Sequence, residues 1–249
     1  MSEFIQPLIR IRDSVCAVMR ILQVKQSGSK KKQEGVAQFN LGFVGTAWCI
    51  VPDRLLVTAH HILNEGNPRD PNDRFYVYSV PGNGRQCYRF PVANFPLEDP
   101  ALDIAVLEVG PPDKPGQHIP AMPVTFNHPD DGTRVLTYGF PAPKIIGARV
   151  DSTGRFLGGG QFFLKGHANE GIVAAQYDLA GVWFYDFNVG WHHGESGGPV
   201  IALDPVAAFC VIQHYRTVQA PDGPYPGPRQ GRSLECVRQQ LTAMGANVL

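Results

Sequence analysis

The chain has 249 residues, enough for one large β domain or two small ones around a substantial core. Its 22 Lys and Arg balance 22 Asp and Glu, so no net field favours nucleic acid or an anionic membrane as a partner. Glycine (27) and proline (22) beside 43% hydrophobic residues suit short strands joined by turns and argue against a disordered chain.

In chain order, the first 23 residues mix Glu3, Arg10, Arg12, Asp13 and Arg20 with apolar residues, which is neither a signal-peptide core nor a membrane span. Five cysteines (Cys16, Cys49, Cys87, Cys210, Cys236) without a CxxC pair read as reduced, mostly buried thiols, and the expected compartment is the cytoplasm. Residues 14–24 favour a strand through Val, Ile and Cys, and residues 26–35, with Lys30, Lys31 and Lys32, read as a solvated hairpin loop. Strand-length apolar runs follow at 43–51, 54–63, 75–80, 103–109, 134–140, 162–166, 171–177, 182–187, 198–203 and 207–215. Residues 111–120 hold four prolines and read as a linker, and the Pro/Gly-rich stretch 221–231 reads as a long loop. Residues 234–244 carry helical spacing that ends before Gly245. The pattern is all-β: a barrel over 1–110, a linker over 111–120, and a second barrel with a C-terminal helix over 121–249.

Three segments carry chemistry. Residues 194–199 read GESGGP, a serine set between turn-forming glycines. Peptide hydrolysis needs an exposed Oγ and backbone N–H groups aimed at a developing oxyanion, which Gly194 and Ser196 would supply. Residues 57–62 read VTAHHI, and Asp103 opens the run DIAVLEV. A serine hydroxyl becomes nucleophilic when an imidazole takes its proton, and that imidazole needs a carboxylate on its other nitrogen. The order His, Asp, Ser differs from that of the α/β-hydrolases, which counts against an esterase or lipase.

In that order, VTAHH, DIAVL and GESGGP resemble the three signature segments of the trypsin-like (chymotrypsin-fold) serine peptidases. The stretch GTAWCIVPDRLLVTAHHIL is similar to the HtrA-type and other bacterial branches, here with no residues left for a PDZ domain. The resemblance implies two six-stranded antiparallel β-barrels, with His61 and Asp103 from the first and the nucleophile Ser196 from the second. It selects His61 over His60 as general base, Asp103 as its orienting carboxylate, and Gly194 and Ser196 as the oxyanion hole. It puts Gly190 where trypsin keeps its specificity aspartate, and Gln213, His214 and Tyr215 beside the substrate, with Tyr215 at a position where trypsin has glycine. Trp191, His214 and Tyr215 are equally compatible with plain packing. Ile62 replaces a cysteine, and Glu195 replaces the aspartate that pairs with a freed amino terminus in secreted members.

The implied activity is a serine endopeptidase working through an acyl-enzyme on protein or peptide substrates, with no cofactor, no nucleic acid and no membrane partner. The alternative is a catalytically silent or partner-activated binding module of the same fold, controlled by a regulatory protein; a viral processing protease is a further reading. A metal site built from His60, His61, His192 and His193 lacks HExxH or Cys/His spacing.

Overall fold

A computed structural model describes residues 5–24, 38–64, 68–82, 86–190 and 192–249. The lysine-bearing 26–35 stretch and Trp191 lie outside the described residues. A short helix α1 (Ile5–Ile11) leads into the first barrel, whose strands are β1 (Val15–Val24), β2 (Gln38–Val51), β3 (Leu55–Thr58), β4 (Arg74–Ser79), β5 (Tyr88–Asp99) and β6 (Ile104–Val109). Antiparallel pairing closes them in the order β1-β2-β3-β6-β5-β4. The runs rich in Val, Ile and Leu are the ones that close: β3 is buried throughout, and Val15 through Met19 and Ala47 through Ile50 exclude water around Trp48.

The second barrel joins β7 (Arg134–Gly139) to β12 (His167–Leu179), β13 (Val182–Phe187), β14 (Pro199–Leu203), β15 (Val206–Ala220) and β16 (Gly223–Ser233), closed as β12-β13-β16-β15-β14-β7. Its own core gathers Val135, Val173, Tyr185, Phe187, Val200 and Phe209. Between β7 and β12, the short strands β8 (Lys144–Ile146), β9 (Arg149–Val150), β10 (Phe156–Gly158) and β11 (Gln161–Phe163) form two small ladders. These ladders lie against barrel 1 through the rings of Phe162, Phe43 and Tyr78. The chain ends in a 3-10 turn (Leu234–Val237) and helix α2 (Arg238–Ala243), which bury Leu234, Val237 and Leu241. The expected two-barrel, all-β architecture with a C-terminal helix is the observed one.

Two departures have physical reasons. The stretch 221–231, expected as a loop, is mostly strand: β16 pairs with β15 from Gly223, with Pro224 opposite Gln219 and Pro226 opposite Thr217. Proline is tolerated because β13 pairs with β16 only from Arg229 to Arg232, leaving the proline-rich half as an edge. Strand β5 was not anticipated, because Pro91 and Pro96 break the alternation; it bends at two register shifts and serves β4 with one half and β6 with the other.

The segment 111–120 contains no strand, yet it is tied down. Asp53 accepts the Ile119 N–H (2.6 Å), and Met122 donates to Cys49 O (2.8 Å). Val124 then bridges to Ala208 of barrel 2, so the connection is laced to both barrels. No helix among the described residues is long and apolar enough to cross a membrane.

The five thiols are unpaired, with Cys16, Cys49 and Cys210 buried and Cys87 exposed. Desolvation pushes Cys49 and Cys87 up to about 12 and raises Cys16 and Cys210, so none of these is a thiolate at neutral pH and access to solvent is what sets Cys87 apart. A thiol titration of native protein will register Cys87 first, and Cys16, Cys49 and Cys210 only once denaturant is added; fast native labelling of any of those three would contradict the packing.

Candidate active site

His61 is delivered by the turn that follows β3. Ile62 and Leu63 are buried and anchor the 3-10 segment His60–Leu63 in barrel 1, which tips the two imidazoles out of the core. Asp103 heads β6 with a left-handed backbone (φ 54°), after a turn in which Asp99 Oδ1 accepts the N–H groups of Ala101 and Leu102. That turn brings Asp103 onto His61 twice. Its Oδ1 accepts the His61 backbone N–H at 2.7 Å, and Oδ2 lies 2.8 Å from Nδ1. A carboxylate at that distance keeps the proton on Nδ1, so Nε2 carries the free lone pair.

His60 is occupied differently. Its Nε2 lies 4.0 Å from Glu98, whose carboxylate is paired with Arg69 at 2.7 Å. His192 and His193 are exposed on the far side of the cleft, and no cluster of three or more His, Cys, Asp or Glu able to hold a metal exists among the described residues.

Ser196 sits on a turn made by Gly194 (φ 97°) and Gly197 (φ 84°). Both glycines are required: a Cβ on Gly194 would strike Phe140 O, and one on Gly197 would strike Thr46 O and Thr58 Oγ1. Barrel 1 grips this turn through one residue. Thr46 donates its N–H to Ser196 O (2.8 Å) and its hydroxyl to Gly194 O (2.7 Å), while the same hydroxyl accepts the Phe140 N–H (3.1 Å).

The His193 carbonyl accepts the Ala142 N–H at 2.6 Å. Because carbonyl and N–H point in opposite directions across a trans peptide, the Gly194 N–H is turned away from Ala142. Neither it nor the Ser196 N–H has a partner among the described residues, which leaves two backbone donors of this turn available.

The Ser196 hydroxyl donates to the Gln213 carbonyl (2.9 Å), and no described group hydrogen-bonds to His61 Nε2. Gln213 departs from the sequence expectation, since its side chain is not a pocket wall. It is buried, and its amide donates to Leu102 O (2.7 Å) and Asp103 O (3.3 Å), carbonyls of a tight turn that needs donors.

His214 is held below the ordinary histidine range by desolvation, against the pull of Asp103, and is neutral at pH 7. Tyr215 is half-buried and in register with Arg229, and Gly190 is exposed, facing Asn169. Asp186 is turned to Tyr177 and Gln230. Sequence reasoning missed Thr46, Asn169 and Arg229, which hydrogen-bond to Gly194 and Glu195 of the serine turn, because nothing local distinguishes them.

The family described as trypsin-like peptidase domain matches residues 45–205, a span that contains His61, Asp103 and Ser196. The chain belongs to that family. Its fold is shared with the HtrA-type protease AlgW solved with a decapeptide (14% identity, TM-score 0.64, covering 100% of this chain and 69% of that one). It is shared also with Deg5 (14% identity, TM-score 0.58, covering 95% and 91%). A search of curated proteins found no match.

Thr46→Val keeps the shape but leaves the Gly194 carbonyl and Phe140 N–H without their partner, at a cost of about 1–3 kcal/mol. Urea unfolding measures it, and a change below ~0.5 kcal/mol would mean the hydroxyl bridge carries no net stability.

Proposed function

We propose that this trypsin-like chain is a serine endopeptidase that hydrolyses peptide bonds through an acyl-enzyme. The observation that carries the reading is that the His61–Asp103 pair of one barrel and a serine turn of the other, with two N–H groups unpaired among the described residues, are joined by Gln213, which accepts the Ser196 hydroxyl and donates to Asp103 O. In this reading residues 1–110 supply His61 and Asp103, and residues 121–249 supply Ser196. Ser196 Oγ attacks the scissile carbonyl as His61 Nε2 takes its proton. Asp103 holds the tautomer and stabilises the imidazolium, and the N–H groups of Gly194 and Ser196 receive the oxyanion. The imidazolium then protonates the leaving amine, and water repeats the sequence on the acyl-enzyme. No step requires a cofactor.

Protein or peptide substrates fit this chemistry, and the similarly folded AlgW was solved with a decapeptide bound. Five unpaired cysteines fit a reducing compartment, and we assign the chain to the cytoplasm. A second reading, a silent or partner-activated module, is favoured by one observation: the Ser196 hydroxyl is bonded to Gln213 O and not to His61. A regulatory protein would then supply the rotamer change.

A fluorophosphonate probe separates the two readings, because labelling needs an activated serine. Wild-type protein is expected to label at Ser196. Ser196→Ala and His61→Ala should abolish labelling with the melting temperature unchanged, and His60→Ala should spare it. Asp103→Asn should slow turnover by roughly 10⁴-fold. Absence of wild-type labelling alone, restored by a cell extract, would favour partner activation.

Specificity follows from the charges around the proposed pocket. Among the described residues Asp186 and Glu195 are both engaged, and Asp222 is exposed at the turn between β15 and β16, so neither Asp186 nor Glu195 is open to a cationic side chain. Small apolar residues are expected first before the scissile bond, acidic ones second and Arg or Lys last. Peptide-library profiling tests the order, and a dominant Arg or Lys preference would refute it.

A further inference from the structure

Glu195 stands between Gly194 and Ser196, the two residues whose N–H groups are unpaired, and its side chain runs into barrel 2 instead of the cleft. There Oε2 accepts from Arg229 Nη1 at 3.0 Å and Oε1 from Asn169 Nδ2 at 3.0 Å. The side chains of Arg229 and Glu195 are 1% and 3% exposed, so the pair is out of water. Gly139 on β7 makes the space, since a Cβ there would lie 3.1 Å from Glu195 Cγ. Three strands of the barrel, β7, β12 and β16, therefore converge on this one side chain.

As a source of stability the arrangement is poor. Burial pushes the Arg229 guanidinium below its ordinary value, with Glu195 pushing it back up, and Arg229 Nε and Nη2 are buried without a partner among the described residues. Apolar side chains of similar volume fill an interior at no such cost. A charged pair adds direction: it allows the Glu195 carboxylate one place. The rigid peptide planes on either side of Glu195 then follow its Cα.

We propose that Arg229 is a positioning residue of the peptidase site, acting through Glu195 to hold the Gly194–Ser196 turn with both N–H groups aimed at the cleft, and that Asn169 is the second tether. This rests on the endopeptidase reading and deepens it. Arg229 makes no hydrogen bond to Ser196, so its influence falls on transition-state stabilisation and hence on kcat, with KM little changed.

The test uses the full chain as Arg229→Met and as the double variant Arg229→Met with Glu195→Gln. Peptide hydrolysis, fluorophosphonate labelling and amide hydrogen exchange are measured on each. Arg229→Met is expected to lower kcat and the labelling rate by about 100-fold, the scale of losing one oxyanion donor, with KM within roughly threefold. Exchange at residues 192–198 should rise about tenfold while barrel 1 keeps its protection. The double variant leaves no buried charge and should regain about tenfold over Arg229→Met, while staying about tenfold below wild type, since nothing directs the turn. A kcat and 192–198 exchange within roughly threefold of wild type in Arg229→Met would overturn the proposal. So would faster exchange spread equally over barrel 1, which would make Arg229 a residue of the fold alone. Should Arg229→Met fail to fold, the double variant decides, and wild-type kcat and exchange in it refute the positioning role. Wild-type protein inert to both substrate and probe would sink the endopeptidase reading, and exchange at 192–198 would still judge the role of Arg229.

Discussion

The site depends on a single threonine that belongs to the wrong barrel. Thr46 is a residue of β2, yet its N–H and hydroxyl take the carbonyls of Ser196 and Gly194, and the same hydroxyl receives the N–H of Phe140. Its own carbonyl accepts the Thr58 hydroxyl at 2.7 Å, which ties β2 to β3 immediately before the His61 turn. One buried residue thus ties the Ser196 turn to the strand pair that leads into the His61 turn. The two barrels share apolar packing, with Leu136, Ile201 and Val211 of the second in one cluster with the core of the first, but apolar contact is non-directional and hydrogen bonds are what fix loops in register.

Gln213 makes the second cross-barrel tie, again with every polar atom that faces the site in use. Its amide supplies donors to the Leu102–Asp103 turn, and its carbonyl takes the Ser196 hydroxyl. The aspartate and the serine are therefore connected through one residue of β15. Buried amides and hydroxyls are costly unless paired, so each such tie resists displacement more than an apolar contact of the same area would.

Behind Ser196, the polarity of the interior takes a different form. Glu195, Asn169 and Arg229 place charge inside barrel 2, where its own core is otherwise Val, Phe and Tyr. In barrel 1 the buried Arg20–Asp73 pair at 2.6 Å is near no reactive group, and its guanidinium is satisfied by Asp73 and Pro68 O. Arg229 keeps two donors without partners. That contrast distinguishes a pair that completes a fold from one whose cost has to be met by something other than stability.

Much of the fold was legible because its signals are local. The β-branched runs closed into barrels, the glycines of GESGGP lie where φ is positive or a Cβ would collide, and the order His, Asp, Ser placed the family before any coordinate. Where the sequence misled, at 221–231 and 88–99, proline content suggested loops, and only pairing revealed edges that prolines can occupy. The rotamer of Ser196, the inward turn of Gln213 and the Thr46 bridge have no local signature. They are decided by which carbonyls lack donors once two barrels are packed together, a question a linear pattern does not pose. Arg229 is the clearest case: its composition and neighbours, PGPRQG, read as a solvated turn. The closure of β16 against β13 and β15 puts its guanidinium on Glu195, because that carboxylate, once inside the barrel, needs a cation to remain there.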